Sequence, residues 1–288
     1  MPGKTAKWFI GCGAAGGAAI MIVILVGYFW VRGAVREIRQ VVEVQQELVE
    51  RFGEPGDYVP AADGGVAPDR LDRFLAVRAS LLGPGDRVLA GLEDFPPDEV
   101  LDGDAGFRDA MRVIRSLGDL LPPIIDYLTA RNRALIDQEM SLGEYLYIYS
   151  AAYYSLLGHS PADGPVLRKG PDAGERLFES QGEGTFDSEK TWARYRRVMT
   201  QVLGNQLAAL PEGDSAWRDR LREEVLRLRR DDRHVPWSDG LPPALQASLA
   251  PRADRLEESY RSDLNCFELA PMEKEEWENQ GDFHIDID

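Results

Sequence analysis

The stretch MSLGEYLYIYSAAYYSLL, residues 140–157, decides the fold class. Ser141 followed three residues later by Glu144 is a capping-box pattern, the signature of a helix start. The residues after it are apolar almost all the way round. Such a helix has to be covered on every side, so it is predicted to be the central buried helix of a mainly α domain. Tyr145, Tyr149 and Tyr153 are spaced to share one face, with Tyr147 and Tyr154 on another.

Working outward, helical spacing recurs on both sides. Pro68 suits a first helical position, with Asp69 in the first turn, and Leu71, Phe74, Leu75, Arg78, Leu81 and Leu82 make one face. A Gly-Pro-Gly break is expected next, then a short helix to about residue 94. Phe107, Met111, Ile114, Leu117 and Leu121 open another helix. Pro122 and Pro123 are expected to kink or restart it before Ile125, Leu128, Leu135 and Ile136. Further helices are predicted near 189–209, 214–230 and 242–264, the last after HVPWSDGLPP (234–243). Period-2 runs are scarce, FHIDID (283–288) being the clearest. Residues 158–188, rich in Gly, Pro and Asp, exceed an ordinary connector, so a lid or a binding loop is a candidate reading there.

Residues Trp8–Val31, WFIGCGAAGGAAIMIVILVGYFWV, carry no charge. As a helix they span roughly 36 Å, enough for a bilayer core of about 30 Å. Aromatic residues stand at both ends and basic residues flank them, which predicts an uncleaved single-pass anchor. A cleaved signal peptide would have a shorter apolar core and a polar exit. A lipoprotein would need more than Trp8–Gly11 ahead of Cys12. Positive charge is nearly balanced across the segment, and the short basic N-terminus favours placing the large domain outside the bacterial cytoplasmic membrane, in the periplasm. Gly13 and Gly17 form a GxxxG pair, a candidate helix-packing row in lipid.

Val31, Val35, Ile38, Val42, Gln45, Val49 and Phe52 continue at spacings of four and three, a narrow seam of coiled-coil type. Two readings stand for it: a dimer stalk, or docking on the chain's own domain. The organisation expected is thus a basic tail (1–7), an anchor (8–31), a helical stalk (32–52), an α-helical bundle-like domain (53–270) and an acidic tail (271–288).

With 33 basic and 49 acidic residues the formal net charge is −16, which argues against a nucleic-acid partner. From Met272 onward seven acids and one lysine contribute −6 of that charge, a solvated tail whose Trp277 and Phe283 are candidate anchors on a partner. Two Cys and three His exclude a disulfide scaffold and the usual Cys/His zinc site. GxSxG, Walker A, HExxH and strand-linked GxGxxG motifs are absent from the sequence, and no cofactor is expected.

The candidate catalytic residues are Glu144, Tyr147 and His159, which a tyrosine-lined pocket would bring together for ligand binding or proton transfer. The competing reading makes Glu144 a capping residue and the tyrosines core. Asn132, Asn205 and Gln206 are read the same two ways, as binding groups or as satisfied buried amides. Asp102 and Asp104 in LDGDAG resemble a calcium-loop fragment without its remaining ligands. Asp231, Asp232 and His234 are a weak metal candidate beside a polar helix end.

At PDRLDRFLAVR (68–78) and MSLGEYLYIYSAAYY (140–154) the chain resembles a group of uncharacterised bacterial single-pass membrane-anchored proteins, in which a similar anchor precedes a similar helical domain. The resemblance implies no activity, cofactor or catalytic residue. Two functions follow from the sequence as expectations. One is a membrane-anchored interaction or scaffold protein whose partners are the bilayer and either itself or a membrane complex. The other is a membrane-tethered enzyme or ligand binder acting on envelope material through the tyrosine-rich pocket.

Overall fold

The computed structural model describes residues 40–93, 107–164, 166–167, 178–179, 188–211 and 215–269. The Trp8–Val31 segment, Gly13 and Gly17, LDGDAG, FHIDID and the acidic tail lie outside them. Among the described residues no helix is long and apolar enough to cross a membrane.

The described chain is mainly helical. Helix α1 covers residues 40–52, and α2 covers Pro68–Ser80. Next come α3, Leu82–Glu93, and α4, Phe107–Asp137. Helix α5, Leu142–Tyr149, runs directly into a π-helical turn, Ser150–Leu156. After α6, Ser188–Ala209, and α7, Ser215–Arg230, three short helices close the chain. These are α8, Pro243–Leu249, α9, Ala253–Ser259, and α10, Asn265–Glu268. Within the 158–188 segment, β1 (Val166–Leu167) pairs antiparallel with β2 (Phe178–Glu179), with Val166 opposite Glu179.

Three expected breaks come out differently. Gly83-Pro84-Gly85 falls inside the first turn of α3, where a proline forfeits no intrahelical hydrogen bond. Gly85 is held there by close packing: a Cβ would stand 2.5 Å from Leu264 Cδ1. Helix α4 continues through Pro122 and Pro123. The expected helix over 242–264 is instead divided, with Pro251 in a 3₁₀ turn (Ala250–Arg252) between α8 and α9.

The central helix is where the sequence puts it. All eight residues of α5 are buried, as are Ser150 to Tyr154 after it. Ser141 caps α5 by accepting a hydrogen bond from the Glu144 amide at 2.9 Å. Gly143 lets the 3₁₀ turn Pro55–Asp57 lie directly on α5, since a Cβ would meet the Pro55 carbonyl oxygen at 2.1 Å.

Helix α1 belongs to the same core. Its buried row is Val41, Val44, Gln45 and Leu48, while Val42 and Val49 of the expected seam are only half-buried. Val41 and Leu48 join the apolar cluster that surrounds α5. In residues 40–52, then, the apolar row docks on the chain's own domain.

Candidate functional site: a tyrosine cage around Arg78 and Glu268

Arg78 stands on the apolar stripe of α2 between Phe74 and Leu81, and Glu268 ends α10. Their side chains, 2% and 0% exposed, form a buried ion pair between Arg78 Nη1 and Glu268 Oε1. The carboxylate is also reached by two phenols: Tyr127 donates to Oε1 and Tyr145 donates to Oε2 at 2.9 Å. Arg78 spends its other donors on the Tyr145 oxygen at 3.0 Å and on the Ser259 carbonyl at 2.8 and 3.3 Å. Its guanidinium lies over the Tyr149 and Tyr153 rings, 5.3 and 5.6 Å from their centroids.

Asn265 fills the other half of the cage. Its Oδ1 accepts from the Tyr149 hydroxyl at 3.1 Å and the Tyr154 hydroxyl at 2.6 Å. Its amide donates to the carbonyls of Ser160, Pro161 and Asp163. The π turn makes this geometry available. Residues five apart stand about 140° apart around a regular α-helix. The wider turn, with Leu157 N bonded to Ala152 O at 3.1 Å, lets Tyr149 and Tyr154 reach one oxygen. Tyr154 therefore joins the Tyr149 side of the helix and not the Tyr147 side.

The electrostatics follow from burial. Desolvation pushes the phenols of Tyr127, Tyr145, Tyr149 and Tyr154 well above the ordinary tyrosine range, the Glu268 charge adding to the effect. Burial works against the Arg78 cation, but Tyr145, Glu268 and the other tyrosines outweigh it and hold the guanidinium more firmly protonated than usual. Burial likewise pushes the Cys266 thiol up to about 12, so it is not a ready nucleophile.

The residues named from sequence have separate partners. Glu144 receives a forked pair of hydrogen bonds from Arg70, Nε to Oε1 at 2.6 Å and Nη2 to Oε2. Its side chain thus answers α2 and not its own cap. Tyr147, on the same side and in ring contact with Tyr58, donates to the Gly64 carbonyl at 2.7 Å. His159 lies elsewhere, stacked on Tyr260 at 3.9 Å and 3.2 Å from Glu257 Oε2.

No family model, curated protein or solved structure matches the chain. What the arrangement can do is therefore read from its own atoms.

Asn132, wholly buried, donates to Gln45 Oε1 at 2.8 Å, and Asn205 and Gln206 donate to the carbonyls of Gly56 and Ala61. Asp231 accepts from the Arg233 amide, Asp232 pairs with Arg196, and His234 meets Glu224 at 2.7 Å. Among the described residues no three His, Cys, Asp or Glu side chains stand together as a metal site. A cavity between the π turn and the HVPW loop, lined by Tyr147, Ser150, Met199, Leu203, Pro236 and Trp237, measures about 10 Å³, the room of about one water.

Sequence reading passed over Arg78, Asn265 and Glu268 as site residues. A signal for Arg78 was present, a lone cation on an apolar stripe. For α10, four residues long, periodicity had nothing to work on.

Proposed function

We propose that this chain is a membrane-anchored interaction module of the bacterial envelope. The observation that carries the reading is the uncharged, aromatic-bounded stretch Trp8–Val31. In this reading it holds the chain in the cytoplasmic membrane, with the helical domain on the periplasmic side and Gly13 and Gly17 in a helix–helix contact. Supporting an interaction role over a catalytic one, the polar groups of the tyrosine cage are consumed by one another, and Glu144, Tyr147 and His159 are each engaged with a different partner.

The test is crosslinking with mass spectrometry on native membranes carrying the tagged full chain, with protease accessibility from either side. Extraction only by detergent, a domain cleaved from the periplasmic side and reproducible crosslinks to one membrane protein, or to a second copy, are the expected results. Release by alkaline carbonate would overturn the anchor. A solitary, uncrosslinked monomer would overturn the interaction role.

A further inference from the structure

One hydrogen-bond chain runs through the interior from α1 to α10. Gln45 Oε1 accepts from Asn132 Nδ2 at 2.8 Å. Asn132 Oδ1 accepts from Arg131 Nε and Nη2 at 3.2 and 3.3 Å. Arg131 Nη1 then donates to the carbonyls of Phe267 and Glu268 at 3.1 and 3.0 Å. The Glu268 carboxylate continues to Arg78, Tyr127 and Tyr145. Gln45, Asn132, Arg131 and Glu268 are all buried.

We propose that this chain makes α1 and α10 a coupled pair, so that displacing α1 unseats α10 and frees the segment that follows it. Each link is the partner that completes the next. With Gln45 withdrawn, the Asn132 amide loses its acceptor in a place water does not reach. An Asn132 that turns to find another takes its oxygen from Arg131, whose side-chain acceptor it is. Arg131 is then a buried cation left with two backbone carbonyls, both belonging to α10. Buried polar networks fail in this collective way because every unmet group carries its full desolvation cost. The element with two states is α10. It has four residues, and two of its buried side chains, Asn265 and Glu268, are polar, which marks it for local opening at a cost below global unfolding. The coupling rests on these contacts alone and is independent of the membrane reading.

Amide hydrogen exchange on the full chain in detergent tests it, reading peptides over 262–269 and 41–52 with 195–207 in α6 as reference. Gln45→Leu keeps volume and apolar contact while removing the acceptor. It is expected to speed exchange at 262–269 relative to 195–207 by about tenfold, the scale of one orphaned buried donor. Val41→Ala, which trims the same helix without touching the polar chain, is expected to leave that ratio at its original value. Glu268→Gln is expected to speed exchange at 41–52, since coupling is reciprocal. Equal acceleration of all peptides by Gln45→Leu, or the same ratio from Val41→Ala, overturns the proposal. If Gln45→Leu does not fold, Gln45→Asn decides by the same ratio.

Discussion

The cage and the outer face of α7 use the same chemistry at opposite depths. Arg78 meets Glu268 with both side chains essentially out of solvent, whereas Arg227 meets Asp239 at 2.6 Å with 40% and 78% of the side chains exposed. At the surface, water replaces a lost partner and salt screens what remains. In the cage nothing replaces it, and the surviving charge is stranded. The chain carries many arginines, and depth rather than pairing separates those that hold the fold from those that keep it soluble.

The sharpest way to break this contrast is Glu268→Ala. It is expected to cost about 3–5 kcal/mol, read from the urea midpoint. The paired change Arg78→Met with Glu268→Met is expected to cost less than the two singles summed, by about 1–3 kcal/mol, because no charge is left alone. Additivity would show that the pair is not coupled.

Alkaline titration probes the cage without mutation. Burial raises the phenols of Tyr127, Tyr145, Tyr149 and Tyr154 in the folded chain. Above about pH 10 the unfolded chain has released protons that the folded chain still holds. Stability is therefore full below that pH and falls as pH climbs through and beyond it. The tyrosinate absorbance is expected to rise in step with loss of helical circular dichroism. A rise that precedes unfolding would show phenols open to water.

Glu144 lies between the two depths, its side chain 11% exposed beside an Arg70 at 24%. Glu144→Gln retains the Ser141 cap and is expected to cost about 1 kcal/mol in thermal or urea unfolding. Loss of ligand binding or turnover at intact stability would instead favour the pocket reading. The smallest effect is expected from Arg227→Ala, which should leave the urea midpoint where it was.

Most of the helical order was legible because α2, α4, α5, α6 and α7 are long enough to show their spacing. The central helix was legible from composition alone. The cage was not, since it joins residues as distant as Arg78 and Glu268, and no local pattern reports a partner 190 positions away. The π turn was hidden for a related reason: Tyr149 and Tyr154 are aligned by Asn265, which a helical projection of 140–157 does not contain. Gly83-Pro84-Gly85 misled because its residue types signal a break in a loop and a start in a first turn.

The π turn also restricts how the chain can change length. A π turn amounts to one residue accommodated within an α-helix. Deleting a residue between Ser150 and Leu156 would restore regular geometry locally and swing everything after it by about 100°. Tyr154 would leave Asn265, and the Ser160–Asp163 carbonyls that receive its amide would move with the following loop. Substitution in this segment can be absorbed one side chain at a time, but an insertion or deletion has to be answered at Asn265, more than a hundred residues downstream.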